Sequence, residues 1–193
     1  QPCPVIGMVG VIENVDDAVG NCFVAAEQDI CVIGQGDKTD DGWLGVSIYQ
    51  QHHGDDGIYA PPPLDLAAEQ KTGSWVRQQI LGGGINAAHD ISDGGLAVAI
   101  AEMAMRSGLG ADIAVPKTGN LHGWAFGEDQ ARFVVTTADS KTLIAAAKEA
   151  GIEITKVGMV SDRSELKFGD NDTILLSDLN DVFEGCIPTL MAG

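Results

Sequence analysis

Short apolar runs alternate with segments of helical periodicity along most of the chain, and turn residues separate them. The segment DICVIG at residues 29–34 is an apolar run of strand length. Residues 140–150, SKTLIAAAKEA, have the apolar spacing of an amphipathic helix, which Gly151 ends. The pattern predicts strands at 29–34, 85–90, 111–115, 131–137 and 153–160, a pairing of 166–168 with 173–176, and helices at 43–53, 64–81, 94–107, 140–150 and 179–190.

This alternation favours a β-sheet with helices packed against it, so the predicted fold class is α/β or α+β. The apolar run VIGMVGVI at residues 5–12 is also strand-like, and the chain reaches it at once without an initial Met. A complete chain rarely begins inside a core strand. We therefore expect the sequence to be a piece of a longer protein.

The charge balance excludes several classes of partner. The 193 residues contain 11 Lys and Arg against 28 Asp and Glu, which gives a formal net charge of −17 at pH 7. A chain this acidic is not expected to bind nucleic acid or an anionic membrane surface. Hydrophobic residues make up 45% and aromatic residues only 5%, which predicts a sizeable, mainly aliphatic core.

The cysteines give an expectation about the cellular compartment. They are widely spaced and form no C-x-x-C pair: Cys3, Cys22, Cys31 and Cys186. Free, mostly buried thiols in a reducing environment are expected. No basic stretch followed by an apolar stretch opens the sequence, so a secreted protein is not expected. No apolar run reaches the ~18 residues of a membrane-spanning helix. The prediction is a cytoplasmic protein.

One stretch stands out as a candidate phosphate site: HDISDGGL at residues 89–96, between a predicted strand and a predicted helix. Ser92 or Asp93 is expected to cap the helix, and Gly94 and Gly95 let backbone N–H groups approach a ligand closely. A strand, a glycine-rich turn and a helix start form the kind of junction at which phosphate groups bind.

Carboxylates in the same stretch supply candidate metal ligands, because Asp90 and Asp93 could hold a Mg²⁺ ion that neutralises such phosphates. Two other interpretations stay open. The stretch could be only a capped helix start with a tight turn. His89 and Asp90 also resemble a metal-hydrolase pair, although no His or Asp cluster follows at ligand spacing.

A second polar cluster, GEDQAR at residues 127–132, precedes a predicted strand. Glu128, Gln130 and Arg132 combine a carboxylate, an amide and a guanidinium that could bind the polar edge of a ligand. The alternative is a solvated turn in which Arg132 pairs with Glu128 or Asp129.

Two further polar stretches are weaker candidates. His52 and His53 beside Asp55 and Asp56 have metal-ligand chemistry, but an exposed loop is the simpler interpretation. The acidic run at residues 37–41 is expected to be a solvated loop.

The segment AHDISDGGLAVAIAEMA, residues 88–104, closely resembles the C-terminal α/β domain of the phosphoribosylformylglycinamidine synthase family of purine synthesis. The pairing of PPPLDLAAE with AHDISDGGLAVA points to this family over the related aminoimidazole ribonucleotide and selenophosphate synthetases, thiamine-phosphate kinase and a hydrogenase maturation factor. Other similar segments follow the family's order: PVIGMVGVI (4–12), DICVIG (29–34), LGVSIY (44–49), GADI (110–113) and FGEDQARFVV (126–135).

The resemblance implies a three-layer α/β/α domain with a mixed, partly ferredoxin-like sheet. Residues 1–20 would be the end of a preceding N-type domain, its last strand and linker, and residues 21–193 a C-terminal synthetase-like domain. The family's enzymes are ATP-dependent ligases that use Mg²⁺. They phosphorylate the amide oxygen of formylglycinamide ribonucleotide, and ammonia from glutamine then displaces the phosphate.

The resemblance also implies roles for residues and partners. It places no catalytic residue in this chain, and we expect the piece alone to be inactive. It also places the family's main nucleotide ligands outside this chain, and it makes Glu128, Gln130 and Arg132 the candidate substrate or auxiliary site. The residues themselves, apart from the resemblance, leave Ser92, Asp93, Gly94 and Gly95 as candidate nucleotide or phosphate ligands and Asp90 and Asp93 as candidate metal ligands. Expected partners are the remaining domains of the synthetase and a glutaminase subunit or domain, with self-association left open. The alternative is a non-catalytic interaction or scaffold domain, or the C-terminal domain of a related ATP-dependent synthetase or maturation protein.

Overall fold

A computed structural model describes residue 7 and residues 9–34, 43–54, 59–170 and 172–192 of the chain. Its strands are β1 Asp29–Ile33, β2 Ala87–Asp90, β3 Gly110–Ile113, β4 Phe133–Thr137, β5 Ile154–Ser161, β6 Glu165–Phe168 and β7 Asp172–Leu175. Its helices are α1 Ile48–His53, α2 Leu66–Leu81, α3 Gly95–Ser107, α4 Leu121–Phe126, α5 Ser140–Ala150 and α6 Leu176–Ala192. Two short 3-10 helices span Val15–Asp17 and Leu44–Val46.

The strands form one mixed sheet in the order β2-β4-β1-β5-β3-β6-β7. Neighbouring strands are antiparallel except β3 and β6, which are parallel. The register of β1 on β4 pairs Cys31 with Val135, and that of β2 on β4 pairs Asp90 with Phe133. The mixed sheet confirms the predicted α/β fold class.

Side chains on β1 alternate between two hydrophobic clusters, one on each face of the sheet. Ile30 and Val32 pack with α3, whereas Cys31 and Ile33 pack with α2 and α5. Helices therefore cover both faces, as the three-layer α/β/α prediction requires. The first cluster also contains Leu176 at the start of α6.

The strand and helix predictions are confirmed with small shifts of their ends, and α5 begins and ends at the predicted residues. The helix predicted at 43–53 is a 3-10 turn followed by α1. Helix α4 was not predicted, because its six residues are too few to establish a period. The Asn120 side chain caps it by accepting a hydrogen bond from Gly123 N.

The described part of the strand-like run at 5–12, residue 7 and residues 9–12, lies outside any strand. Val9 is 100% exposed and Val11 94%. A strand needs a hydrogen-bonding neighbour, and no described strand lies beside this segment. The division into residues 1–20 and 21–193 stays a prediction.

Two sequence expectations concern cysteines and membranes. Cys22, Cys31 and Cys186 are free thiols, and Cys3 lies outside the described residues. Cys31 is buried, whereas Cys186 is exposed. Across the ranges that the structure describes, no helix has the length and apolar character needed to cross a membrane.

Candidate functional site

A cavity of about 530 Å³ lies where three segments distant in the sequence meet beside Val46. It brings together six of the residues predicted to form a site: Asp90, Ser92, Asp93, Glu128, Gln130 and Arg132. Gly94 and Gly95 do not line the cavity and lie buried at the start of α3. The third segment contributes Pro61, Pro62 and Glu69.

Strand pairing explains why two of these segments meet. Strands β2 and β4 are antiparallel, so the end of β2 lies beside the beginning of β4. Asp90 pairs with Phe133, and Ile91 N donates to Arg132 O at 3.0 Å. Residues that follow β2 therefore face residues that precede β4.

Helix α3 begins without the side-chain cap that the sequence predicts. Its N-cap is Gly94, at φ +82°, and no side chain caps it there. Ser92 instead donates its hydroxyl hydrogen to the Asp90 carboxylate, while its carbonyl accepts from Gly95 N at 3.0 Å. The prediction that Ser92 or Asp93 caps the helix is wrong, because the left-handed Gly94 carries the chain into the helix.

Glu128 supplies the acceptor at this helix start. One carboxylate oxygen, Oε1, accepts from Gly94 N and from Ile48 N, each at 2.8 Å. A carboxylate is favourable there because the first N–H groups of a helix have no partner within it and carry partial positive charge. Glu128 thus joins the segment before β4 to the first residues of α1 and α3.

Both the backbone conformation and the close packing at positions 94 and 95 require glycine. Gly95 has φ +70°, and a Cβ there would lie 2.7 Å from Phe126 C and 2.9 Å from Gly127 O. At Gly94 a Cβ would lie 2.5 Å from a methyl carbon of Val98. A side chain at Gly95 would push against backbone that leads directly to Glu128. The predicted phosphate role of both glycines stays a prediction.

Glu69, the last residue of the family-like segment PPLDLAAE, also lines the cavity, and nothing in its local sequence marks it as a site residue. Its Oε1 accepts from Ala131 N at 2.7 Å. Ala131 has φ +57°, which a residue with a side chain rarely adopts. Because a Cβ at Gly34 would lie 2.2 Å from Ala131 O, the backbone just after β1 also packs closely against this turn.

The cavity wall is strongly acidic. Five carboxylate residues line it, namely Glu69, Asp90, Asp93, Glu128 and Asp129, whereas Arg132 is its cationic residue among those described. Arg132 is only 7% exposed, while Gln130, Ser92 and Asp93 are exposed. Such a wall attracts cations and repels an anion that arrives without one.

The metal prediction stays a prediction, and the donor atoms of the cavity are chemically suited to it. Asp90 and Asp93 offer hard carboxylate oxygens on one side of the cavity, which suit Mg²⁺. The described residues contain no group of three or more His, Cys, Asp and Glu placed to hold a metal alone. Mg²⁺ commonly binds through one or two carboxylates together with phosphates and waters. The residues present therefore fit a Mg²⁺ ion shared with a phosphate ligand.

The histidines serve other contacts. The two ring nitrogens of His89 lie 2.7 Å from Asp90 O and 3.1 Å from a Glu102 carboxylate oxygen, which ties β2 to α3. His52 and His53 are exposed at the end of α1. The predicted partners Asp55 and Asp56, and the acidic run at 37–41, lie outside the described residues.

The chain is similar to a known protein family and to its curated members. Residues 30–171 match the model of the C-terminal domain of AIR synthase related proteins. The chain is 43% identical over 193 residues to phosphoribosylformylglycinamidine synthase subunit PurL of Methylocella silvestris, a match that covers 99% of this chain and 26% of that protein. The chain thus spans about a quarter of the length of this curated relative.

Solved structures agree on the fold. The structure of T. maritima PurL complexed with FGAR matches with a TM-score of 0.72 and 20% identity, covering 86% of this chain and 30% of that one. T. maritima PurL complexed with ATP matches with a TM-score of 0.66 and 18% identity, covering 84% and 27%. The family match extends over the sheet from the second residue of β1 to β6 and includes every residue that lines the cavity. The chain therefore belongs to the family of AIR synthase related proteins, whose C-terminal domain it contains.

Proposed function

We propose that this chain is the C-terminal domain of a phosphoribosylformylglycinamidine synthase and that its acidic cavity binds the phosphate groups of a nucleotide together with Mg²⁺. The observation that carries the proposal is the meeting of three family-like segments, 62–69, 88–104 and 126–135, in one cavity. The 43% identity with a PurL subunit over 99% of this chain supports it.

The charges of the cavity define how such a ligand would bind. Phosphate alone would meet five carboxylates, so it needs a cation to enter. Asp90 and Asp93 would hold Mg²⁺, which neutralises phosphate charge when it is bound. The buried Arg132 guanidinium would contact the phosphate oxygens, and the exposed Gln130 would bind a polar edge of the ligand.

Two carboxylates have a different role. Glu69 and Glu128 accept hydrogen bonds from backbone N–H groups of Ala131, Gly94 and Ile48, so they shape the cavity wall. Fixed by these bonds, they hold the turns that carry Asp93 and Arg132 in place. Glu128 would therefore act on the ligand through the backbone and not by direct contact.

The whole enzyme's reaction belongs to the same proposal. The synthetase would phosphorylate the amide oxygen of formylglycinamide ribonucleotide with ATP, and ammonia from a glutaminase partner would displace the phosphate. This chain would supply one wall of a site completed by the other synthetase domains in the cytoplasm. Alone it should be inactive, because one domain cannot stabilise a transition state that several domains enclose.

A chimaeric enzyme tests the proposal. The matching stretch of the M. silvestris PurL subunit is replaced by this chain, and turnover is measured with formylglycinamide ribonucleotide, ATP, Mg²⁺ and ammonia. We expect the chimaera to turn over and the isolated chain to show none. Asp93→Asn in the chimaera should lower turnover, whereas Asp162→Asn, an exposed acid in the β5–β6 turn, should not. A folded but inactive chimaera, or an isolated chain as active as the chimaera, would contradict the proposal.

A further inference from the structure

Helix α6 carries an apolar stripe along one side. Only the first turn of the helix packs against the hydrophobic core, and the rest of the stripe is exposed. Leu176 is buried, and Leu179 packs against the same hydrophobic cluster. At helical spacing this side of the helix continues through Phe183, Ile187 and Leu190, which are 61%, 62% and 74% exposed. From residue 181 to residue 192 every residue is exposed except the half-buried Gly185.

The sequence of α6 is poorly suited to a helix that stands alone in water. Gly185 and Pro188 lie in its interior, and proline there removes a backbone hydrogen bond and clashes with the preceding turn. Isolated helices of about this length are marginal even with favourable sequences. Packing of the apolar stripe against another surface would supply the stability that the local sequence lacks.

An apolar cavity of about 350 Å³ lies beside the first turn of α6. Leu179 lines it together with Ile174 of β7, and the remaining wall is mainly apolar: Val98, Leu121, Trp124 and Phe168. The stripe and the cavity meet at Leu179, which belongs to both. We refer to the exposed stripe of α6 and this cavity together as the α6 surface. A partner could place one or two apolar side chains in the cavity while it covers the stripe.

Charge indicates the chemistry of that partner. Helix α6 contains the acids Asp178, Asp181 and Glu184 and has no Lys or Arg. A second copy of a chain with net charge −17 would add repulsion, and so would an anionic lipid surface. The complementary partner has an apolar face rimmed by Lys and Arg.

We propose that the α6 surface docks against another domain of the synthetase, through an apolar face with a Lys and Arg rim on that domain. The partner follows from the proposed function, because about three quarters of the length of the M. silvestris relative lies outside the stretch that this chain matches. The docked helix would hold the acidic cavity of this domain in a fixed position relative to the rest of the enzyme.

Cys186 provides a native probe, because it lies beside Ile187 and one helical turn before Leu190, at the edge of the stripe, and is exposed in this chain. Its alkylation rate is measured by mass spectrometry in the isolated chain and in the M. silvestris chimaera described above. The buried Cys31 reports folding in both proteins. We expect alkylation of Cys186 to be slower in the chimaera by about tenfold or more, while Cys31 stays unmodified.

Variants separate the stripe from the rest of the helix. Leu190→Asp in the chimaera should restore fast alkylation of Cys186, whereas Thr189→Asp, outside the stripe, should leave it protected. Alkylation of Cys31 in the chimaera would show that this domain is not folded there. In that case a mixing experiment replaces the chimaera: the M. silvestris subunit without the matching stretch is added to the isolated chain. Protection of Cys186 in that mixture supports the proposal, and unchanged alkylation contradicts it.

The alkylation of Cys186 would differ if the α6 surface bound another kind of partner. Protection of Cys186 in the isolated chain with the mass of a dimer would make a second copy the partner, and protection only on phosphatidylcholine vesicles would make it lipid. Equal alkylation rates in the isolated chain and a folded chimaera would overturn docking. Turnover of the chimaera is a separate readout: an active chimaera with reactive Cys186 refutes docking alone, and an inactive one with protected Cys186 refutes the proposed function alone.

Discussion

Glu128 Oε1 lies 2.8 Å from the backbone nitrogen of Gly94, thirty-four residues earlier in the chain. The same oxygen lies 2.8 Å from Ile48 N, eighty residues earlier. One side chain thus fixes the starts of two helices beside the candidate cavity.

Glu128→Ala should destabilise the protein by about 1–3 kcal/mol, because it leaves two N–H groups without their acceptor. Glu128→Gln keeps a carbonyl oxygen at the same reach and should cost less. Urea unfolding of both variants measures the difference. Equal stability of the Ala variant and the wild type would contradict the assigned role of Glu128.

Gly95→Ala should be more damaging than Gly108→Ala, although both glycines have positive φ at the two ends of α3. A Cβ at Gly95 would collide with the backbone of Phe126, whereas one at Gly108 would meet nothing within 4 Å. We expect a cost of about 1 kcal/mol at Gly108 from the backbone conformation alone, and at least about 2 kcal/mol at Gly95.

Thermal or urea denaturation of the two glycine variants gives these costs directly. Comparable costs would mean that the close approach of α3 to the turn before β4 has no energetic weight. Gly95 would then be required for its backbone angle only.

Asp29 should make stability depend on pH in the acid range. Burial by itself raises the pKa of Asp29, but hydrogen bonds from Lys156 and Ser140 and the Lys156 charge outweigh it and hold the pKa below its ordinary value of 3.8. A carboxyl with a lowered pKa in the folded state stabilises the protein above the unfolded-state value. That contribution is lost as the pH falls through the folded-state pKa.

Asp29→Asn should therefore lower the free energy of unfolding by about 1 kcal/mol at pH 7. The difference in stability between this variant and the wild type should shrink as the pH falls below about 4. Urea midpoints across this range measure it, with Asp162→Asn as the matched exposed control. A difference that stays constant down to about pH 2 would show that Asp29 acts by packing and not by its charge.

The sequence predicts most of this fold because the local signals agree. Helix α5 has an amphipathic pattern and a glycine after it, and Asp139 caps its start, so its bounds emerge from the sequence alone. The strand-like run at residues 5–12 has no such agreement, and its described part lies outside any strand. Its pattern is strand-like, but pattern alone cannot tell whether another strand lies beside it.

The site was predictable only in part. The motifs at 89–96 and 127–132 carry the residue types of a polar ligand site, and β2–β4 pairing brings them together. The roles of Glu69 and Glu128 depend on contacts that span 34 to 80 residues, and no local spacing encodes such contacts. The prediction that Ser92 caps α3 failed for the same reason, because the acceptor at the start of that helix is Glu128, which lies on a distant turn.

The most direct measurement of the central claim is isothermal titration of ATP into this chain with and without Mg²⁺. The acidic cavity predicts binding that needs Mg²⁺ and that weakens by about tenfold or more, or about 1.4 kcal/mol, in Asp93→Asn. The control Asp162→Asn should bind as the wild type does. Binding that is unchanged by removal of Mg²⁺, or unchanged by Asp93→Asn, would contradict the account of the cavity as a site for a nucleotide phosphate with its metal ion.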